Sequence, residues 1–496
     1  MINNKKIIFS IFSILFAISI FALTGCSDKK YAVGTPQNPY KIIWYTIGPT
    51  QKDLPMVEKK INKYLREKIG AVLDIRMIDW GEYDRKMNVI LISGEKYDLC
   101  FTSSWANNYE RNAMRGAFHP LNKLLKQYGK GILKTLNPAF LKGPKIDGEL
   151  YAIPTNKEAA QQTVYLFNNK ILKENGYSLS DFKPYAGVDT LKSMMPFFTS
   201  VKKNNPGIVP FAIDRGSDLR TKDLAFILGD PNIPGAVKIK KGNYKVINQF
   251  KSKEYLKFYK LIDEMYKKGY VPADAAVLPT TNTLIVSQKT AVNRESYQPC
   301  ADQLWSLNYG YKMSSIPAFK PVISNSSVEG AMIAISLNAK RPDIDMKFLN
   351  LLNTDKYLRN LIQSGIEGIH YKKIGPNRIE YLPEHNNYLV PSFTLGNFFL
   401  TYLLPSDPAN KWEQFKKWND SATKSELLGF HFDPTPVTSE LAAISNVCKQ
   451  YTPGLMTGQM NYKTYLPKFE AALQNAGLKR FLAEEQSQLN EWAKKN

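Results

Sequence analysis

A chain of 496 residues, 44% hydrophobic and 12% aromatic, is long enough for more than one compact unit and too apolar to remain disordered. Its formal net charge of +22 is scattered over short lysine pairs such as Lys59-Lys60, Lys202-Lys203 and Lys372-Lys373. No arginine-rich helix or nucleic-acid module accompanies that charge, which argues against nucleic acid and leaves a solvated lysine surface, adhesion to an anionic wall polymer or attraction of an acidic solute.

The chain opens Met1-Ile2-Asn3-Asn4-Lys5-Lys6, runs apolar from Ile7, and closes that run with Leu23-Thr24-Gly25-Cys26. A charged start, an apolar core and small residues before a cut site make an export leader over 1–25. The cysteine after the small pair resembles a bacterial lipobox, which implies cleavage before Cys26 and a lipidated thiol there. Two acyl signals on one cysteine hold a protein on a membrane. An uncleaved anchor helix is the alternative, but an apolar run of roughly 17 residues is short for a span. Residues 26–39 are polar and include Gly34, Pro36 and Pro39, so they read as a flexible tether that extends about 40 Å.

Strands are expected at 41–46, 71–78 and 98–102. Helices between them are marked by Leu54, Val57, Ile61 and Leu65 before Gly70, and by a run over 83–92 before Gly94. This β-α-β-α-β order predicts an α/β fold with a parallel sheet, whose ligands sit beyond the carboxyl ends of the strands. An arm at 148–154 leads to a crossing, a strand at 164–167 and a helix over 168–175. Further strands are expected at 209–213, 291–296 and 328–337. A helix at 254–268 carries Tyr255, Phe258, Tyr259, Ile262 and Tyr266 on one side. A second crossing spans 314–327, and a helix follows at 342–352. The tail ends in two helices, the last with Leu478, Phe481, Leu482, Leu489 and Trp492 on one face.

Catalytic signatures are missing: there is no Walker loop, dinucleotide fingerprint, nucleophile elbow or zinc-protease helix. His119, His370, His385 and His431 stand apart without metal-ligand spacing, so no metal and no cofactor is expected. Cys100 falls in an apolar strand and reads as a core thiol, while Cys300 and Cys448 leave a bridge open. Glu158, Glu295 and Glu367 are isolated acids that a hydrolase pair would draw on. Aromatics near strand ends say more. A saccharide offers apolar C–H faces and a ring of hydroxyls, so its site needs flat rings beside bidentate polar groups. Trp44, Tyr45, Trp80, Trp105, Tyr151, Tyr297 and Trp305 are candidates for stacking, and Asn156, Glu158, Arg294 and Glu295 for hydroxyl bonding.

The order of Tyr97-Asp98-Leu99-Cys100-Phe101-Thr102-Ser103-Ser104-Trp105, Gly116-Ala117-Phe118-His119-Pro120-Leu121-Asn122 and Gly148-Glu149-Leu150-Tyr151-Ala152-Ile153-Pro154 behind a lipobox resembles the solute-binding lipoproteins of bacterial ABC importers, sugar-associated class. Lys289-Thr290-Ala291-Val292-Asn293 is similar to the strand that enters the second lobe's binding edge. Gly396-Asn397-Phe398-Phe399 and Gly429-Phe430-His431-Phe432-Asp433 are similar to an additional C-terminal domain of one subgroup. The resemblance implies a two-lobed periplasmic-binding-protein-like fold with hinge crossings. Lobe 1 is 40–155 plus 326–365, lobe 2 is 156–314 plus 366–496, and 315–325 is a hinge crossing. It implies a monomeric, lipid-anchored receptor on the outer face of the cell membrane, and the lysine- and asparagine-rich composition points to a Gram-positive surface while leaving a Gram-negative envelope open. Such a receptor passes a saccharide to ABC permease subunits and has no catalytic step. A peptide or other organic solute is the alternative cargo, and a surface glycoside hydrolase the alternative class. The site residues it implies are Trp44, Tyr45, Ser103, Ser104 and Trp105 from lobe 1, and Asn156, Glu158, Arg294, Glu295 and Tyr297 from the crossing and lobe 2. Glu367 joins them at a third crossing.

Overall fold

The computed structural model describes residues 31–221, 223–238 and 244–495. The leader and Cys26 lie outside the described residues. The strands of the two main sheets are β1 (Tyr40–Ile47), β2 (Ala71–Ile78), β3 (Leu99–Thr102), β4 (Ala152–Pro154), β5 (Thr163–Asn168), β6 (Val209–Ala212), β7 (Thr290–Ser296), β8 (Met313–Pro317) and β9 (Met332–Ile335). A five-stranded sheet has the order β2-β1-β3-β9-β4, and a four-stranded sheet has the order β8-β5-β7-β6. The first three strands are parallel, as their helical connections demand, but β9 runs antiparallel to both β3 and β4, so the sheet is mixed.

Local sequence explains the first lobe. The helix Leu54–Ile69 starts with a proline in its first turn and stops at Gly70, whose left-handed backbone returns its N–H to the Leu65 and Arg66 carbonyls. Its buried stripe is Val57, Ile61 and Leu65, the spacing read from the sequence. The stripe joins Trp44, Leu73, Phe348 and Leu349 in one core. A second core holds Phe167, Phe197, Phe211, Tyr259 and Phe481 around the other sheet. Cys100 and Cys448 are buried, and Cys100, Cys300 and Cys448 are all free thiols, so the Cys300–Cys448 bridge does not form. Among the described residues no helix is long and apolar enough to cross a membrane.

Two further features differ from the sequence reading. Residues 31–39 do not hang free: Gly34 and Asn38 form a turn, Arg341 Nη1 donates to the Val33 carbonyl at 2.7 Å, and Arg66 Nη1 donates to the Pro36 carbonyl at 3.2 Å. A Cβ at Gly70 would collide with the Gly34 carbonyl, so the turn lies flush on the lobe. The second difference concerns the tail. Tyr388 and Leu395 pack in the first lobe's core, although the sequence division assigns 366–496 to the second lobe. The chain changes lobe later, where Leu428 enters the first core while Leu427 and Phe430 enter the second. There Thr423–Lys424 pairs with Val322–Ile323, and Val322 bridges to Gln161. Three crossings, near 155–162, 318–323 and 423–430, therefore run side by side as the hinge. Beyond them three helices, Thr438–Thr457, Tyr462–Asn475 and Leu478–Lys495, complete the second lobe, one more than expected.

Candidate functional site

The cleft between the lobes holds two adjoining chambers. The more enclosed one is about 440 Å³ and is lined by Ser104, Gln161, Gln162, Asp218, Arg220, Arg294 and Glu295 among others. The wider one is about 800 Å³ and reaches Trp105, Lys157, Glu158, Tyr297, Phe393 and Phe398. Ser104, Gln161, Arg220 and Ser326 border both, so the chambers form one elongated cavity of a size that suits a small organic ligand.

The first-lobe wall is built by the turn after β3. Ser103 is fully buried, and its Oγ accepts the Ala106 N–H at 2.8 Å and the Trp105 N–H at 3.3 Å. That inward hydroxyl bends the chain so that Ser104 and Trp105 face the cleft. The Trp105 indole N–H donates to the Gly330 carbonyl at 2.8 Å, which fixes the ring while 51% of the residue stays exposed. Ser103 thus shapes the wall without lining it.

The second-lobe wall centres on Asp218. Arg294 Nη2 meets Asp218 Oδ1 at 2.6 Å, Arg220 Nε meets Oδ2 at 3.2 Å, and Arg294 Nη1 also donates to the Asp218 carbonyl. One carboxylate thereby orients two guanidiniums at the mouth of the inner chamber. Glu295 accepts from Asn293 Nδ2 at 2.8 Å, and burial raises its carboxyl above the ordinary range. Tyr297 lines the outer chamber, backed edge-on by Trp305 at 6.4 Å and Trp418 at 6.3 Å. Glu158 pairs with Lys157 at 2.6 Å on the first crossing. The arrangement offers flat rings beside donors and acceptors held in fixed pairs, which suits a polyhydroxylated ligand.

Four of the expected residues lie elsewhere. Trp44 and Tyr45 sit within β1, paired with Ile75 and Arg76, because the strand runs on to Ile47. Trp44 is fully buried against Phe348, with ring centroids 5.7 Å apart. The Tyr45 hydroxyl donates to Glu95 and accepts from Arg76 on the sheet's other face. A central strand covered on both faces buries consecutive side chains. Asn156 is buried in the hinge, where its N–H donates to the Gly396 carbonyl at 2.9 Å. Glu367 pairs with Lys373 at 2.9 Å beside a small hairpin and lines neither chamber, since the third crossing is not there. Asp218, Arg220, Gln161 and Phe393 were missed. They occupy loops and crossings without periodicity, and only the alternation of Asp and Arg over 218–220 marked any of them.

At the wall of the inner chamber, which Glu110 and Glu329 line, these two and His431 place ligand atoms within 4.8 Å of one another. Both imidazole nitrogens are already engaged, Nδ1 with Glu110 Oε1 at 2.6 Å and Nε2 with the Gly143 carbonyl at 2.7 Å. A carbonyl only accepts, so Nε2 carries a proton, and the short contact to a carboxylate suits a proton on Nδ1 as well. Burial favours the neutral ring, but the two glutamates and the Gly143 carbonyl outweigh it and raise His431 to about 9. Burial also pushes the Glu329 carboxyl up to about 8. A doubly protonated imidazole has no lone pair for a metal, so the cluster is a buried ion pair.

Comparison with known proteins agrees with this architecture. Residues 426–494 match the family described as domain of unknown function DUF3502. A carbohydrate ABC transporter substrate-binding protein of Streptococcus pneumoniae serotype 4 is 31% identical over 99% of both chains. Lipoprotein LipO of Bacillus subtilis is 22% identical over 72% of each. Among solved structures, the N-glycan transport solute-binding protein of Streptococcus pneumoniae superposes with a TM-score of 0.82 at 29% identity, covering 92% of this chain and 99% of that one. With the same coverage, its complexes with Man1GlcNAc and Man5GlcNAc give 0.71 and 0.68.

Proposed function

Because the chain belongs to the carbohydrate ABC transporter substrate-binding proteins, we propose that it captures an oligosaccharide between its lobes and delivers it to an ABC permease. The observation that carries this reading is the interlobe cavity, where Trp105, Tyr297 and Phe393 offer ring faces beside the Arg220–Asp218–Arg294 group. An ion pair of that kind presents donors and an acceptor together, the combination that vicinal hydroxyls take up. The lower TM-scores of the sugar complexes, at 29% and 30% identity against 29%, support a hinge that closes on ligand. In that scheme the sugar touches both lobes and shifts the open–closed population. Ser104, Trp105, Glu158, Arg294, Glu295 and Tyr297 are the expected contacts. Capture and release need no bond to break, so no catalytic step is assigned. The protein works outside the cytoplasm, and a lipid on Cys26 is the proposed anchor, with the B. subtilis lipoprotein relative in support.

The test is a thermal-shift and calorimetric screen of the mature protein against Man1GlcNAc, Man5GlcNAc, other neutral oligosaccharides, uronate oligomers and peptides. A ligand at a hundred times its Kd adds about 2.7 kcal/mol of stability. Stabilisation by an oligosaccharide without release of shorter products is the expected result. Stabilisation by peptides alone, or turnover of the glycan, would refute it.

A further inference from the structure

Two tryptophans on the first lobe are exposed side by side. Trp80, in the loop after β2, is 43% exposed, and Trp105 is 51% exposed. Their ring centroids lie 6.3 Å apart at an interplanar angle of 26°. Phe393 completes the group, 6.1 Å from Trp80 at 18° and 6.4 Å from Trp105. Three loops distant in sequence thus bring three rings to one surface. Exposed aromatic area of this kind forfeits hydrophobic stabilisation that folding would otherwise gain, and such patches mark contact surfaces.

Two of the three rings are held in place. Trp105 is tied to the Gly330 carbonyl. Phe393 follows Ser392, whose carbonyl and Oγ accept from Arg359 Nη2 at 2.9 and 3.1 Å and whose Oγ donates to Gln363 at 2.7 Å. Arg359 is fully buried, so the Phe393 loop is held from inside the lobe. Trp105 and Phe393 line the outer chamber of the cleft, whereas Trp80 does not. The rings therefore continue the cleft wall outward, past its rim.

We propose that Trp80 is an outer subsite, a stacking platform for sugar rings of a long oligosaccharide that project beyond the cleft. The inference rests on the receptor reading above and extends it to ligand length. The chemistry fits because a pyranose presents an apolar C–H face to an indole, and the chain from the outer chamber needs no gap to reach Trp80. All three rings belong to the first lobe, so the platform exists before the lobes close. A long glycan then docks an arm there first, while a disaccharide is held by the cleft alone.

The experiment titrates wild type, Trp80→Ala and Trp80→Phe with Man5GlcNAc and Man1GlcNAc by calorimetry. Trp80→Ala is expected to weaken Man5GlcNAc about tenfold, as loss of one aromatic contact does. It should leave Man1GlcNAc unchanged, and Trp80→Phe should restore most of the loss. Equal weakening of both sugars, or unchanged Man5GlcNAc affinity in a wild type that binds it, overturns the subsite alone. A wild type that binds neither sugar nor any other oligosaccharide overturns the receptor reading, and the subsite with it.

Discussion

Replacing His431 with glutamine tests the buried ion pair that ties the two lobes. His431 follows the third crossing and its ring is 3% exposed, while Glu110 and Gly143 belong to the first lobe. Burial opposes the charged ring, but the Glu110 carboxylate, joined by Glu329 once that group ionises, lifts the imidazole from 6.5 to about 9. A shift of that size stores about 3 kcal/mol of stability. Loss of one partner of a buried pair costs about 3–5 kcal/mol. Glu110 keeps 33% of its side chain in water, so the cost here belongs at the low end. The sign follows from the direction of the shift. A base whose folded pKa lies above its unfolded value is fully stabilising below 6.5, and that stability fades as pH rises through about 9. Glu329, raised from 4.5 to about 8, acts in the same sense, since its buried carboxyl must ionise as pH rises through that value. Urea unfolding at pH 6, 7.5 and 9.5 reads the effect. Wild type should lose stability steadily over that range. His431→Gln should be about 3 kcal/mol weaker at pH 6 and nearly equal to wild type at pH 9.5. A deficit of the same size at both pH values would refute the charged-histidine account, because a packing defect does not titrate.

Asp218→Asn removes the carboxylate shared by Arg220 and Arg294, so oligosaccharide affinity should fall about 10- to 100-fold by calorimetry while the fold survives. Among the described residues, Arg294, Arg220 and Lys157 each already face a carboxylate in the cleft. A uronate-containing glycan should therefore bind at least about tenfold more weakly than its neutral counterpart, since its charge is desolvated without a free cation. Gly235 has φ +119°, and a Cβ there would collide with both carboxylate oxygens of the buried Glu485. Gly235→Ala should cost about 2–4 kcal/mol in urea unfolding, through strain and overpacking together.

Much of the first lobe was legible because its signals are local. The helix Leu54–Ile69 announced itself by an apolar stripe and a terminal glycine, and the turn after β3 by polar residues following an apolar strand. What local pattern does not encode is which of two cores an apolar residue joins. Tyr388 and Leu395 carry no mark that separates them from Phe430, yet they pack on opposite sides of the hinge. The misplaced third crossing, and with it Glu367, follows from that ambiguity. Trp44 and Tyr45 failed for a related reason. Two more residues of strand separate them from the loop, and strand ends are set by pairing with β2, which is a long-range fact. Ser104 and Trp105 reach the cleft because the hydroxyl of Ser103 turns the chain within three residues.

The docked segment before β1 changes what an anchor at Cys26 would do. Read as a free tether, residues 26–39 would let the whole receptor roam about 40 Å from the membrane. With Val33 and Pro36 bonded to Arg341 and Arg66, only the residues between Cys26 and Val33 are left to span the distance. Whatever their conformation, they extend no further than about 25 Å. The restraint acts on the first lobe, the lobe that carries Trp80 and Trp105. The second lobe joins it through the three crossings and through contacts such as His431 with Glu110 and Gln303 with the Ser406 carbonyl, so with such an anchor closure would move the second lobe relative to a first lobe held near the membrane. Shortening the docked segment should leave sugar affinity in solution unchanged and impair uptake by cells, whereas a true free tether would tolerate the loss of a few residues. Arg341→Ala separates the two cases without changing chain length. It frees the Val33 carbonyl, and faster proteolysis near residue 33 with unchanged sugar affinity is the expected result. Cleavage there at the same rate in wild type and variant would mean that the segment is as free as its composition suggests.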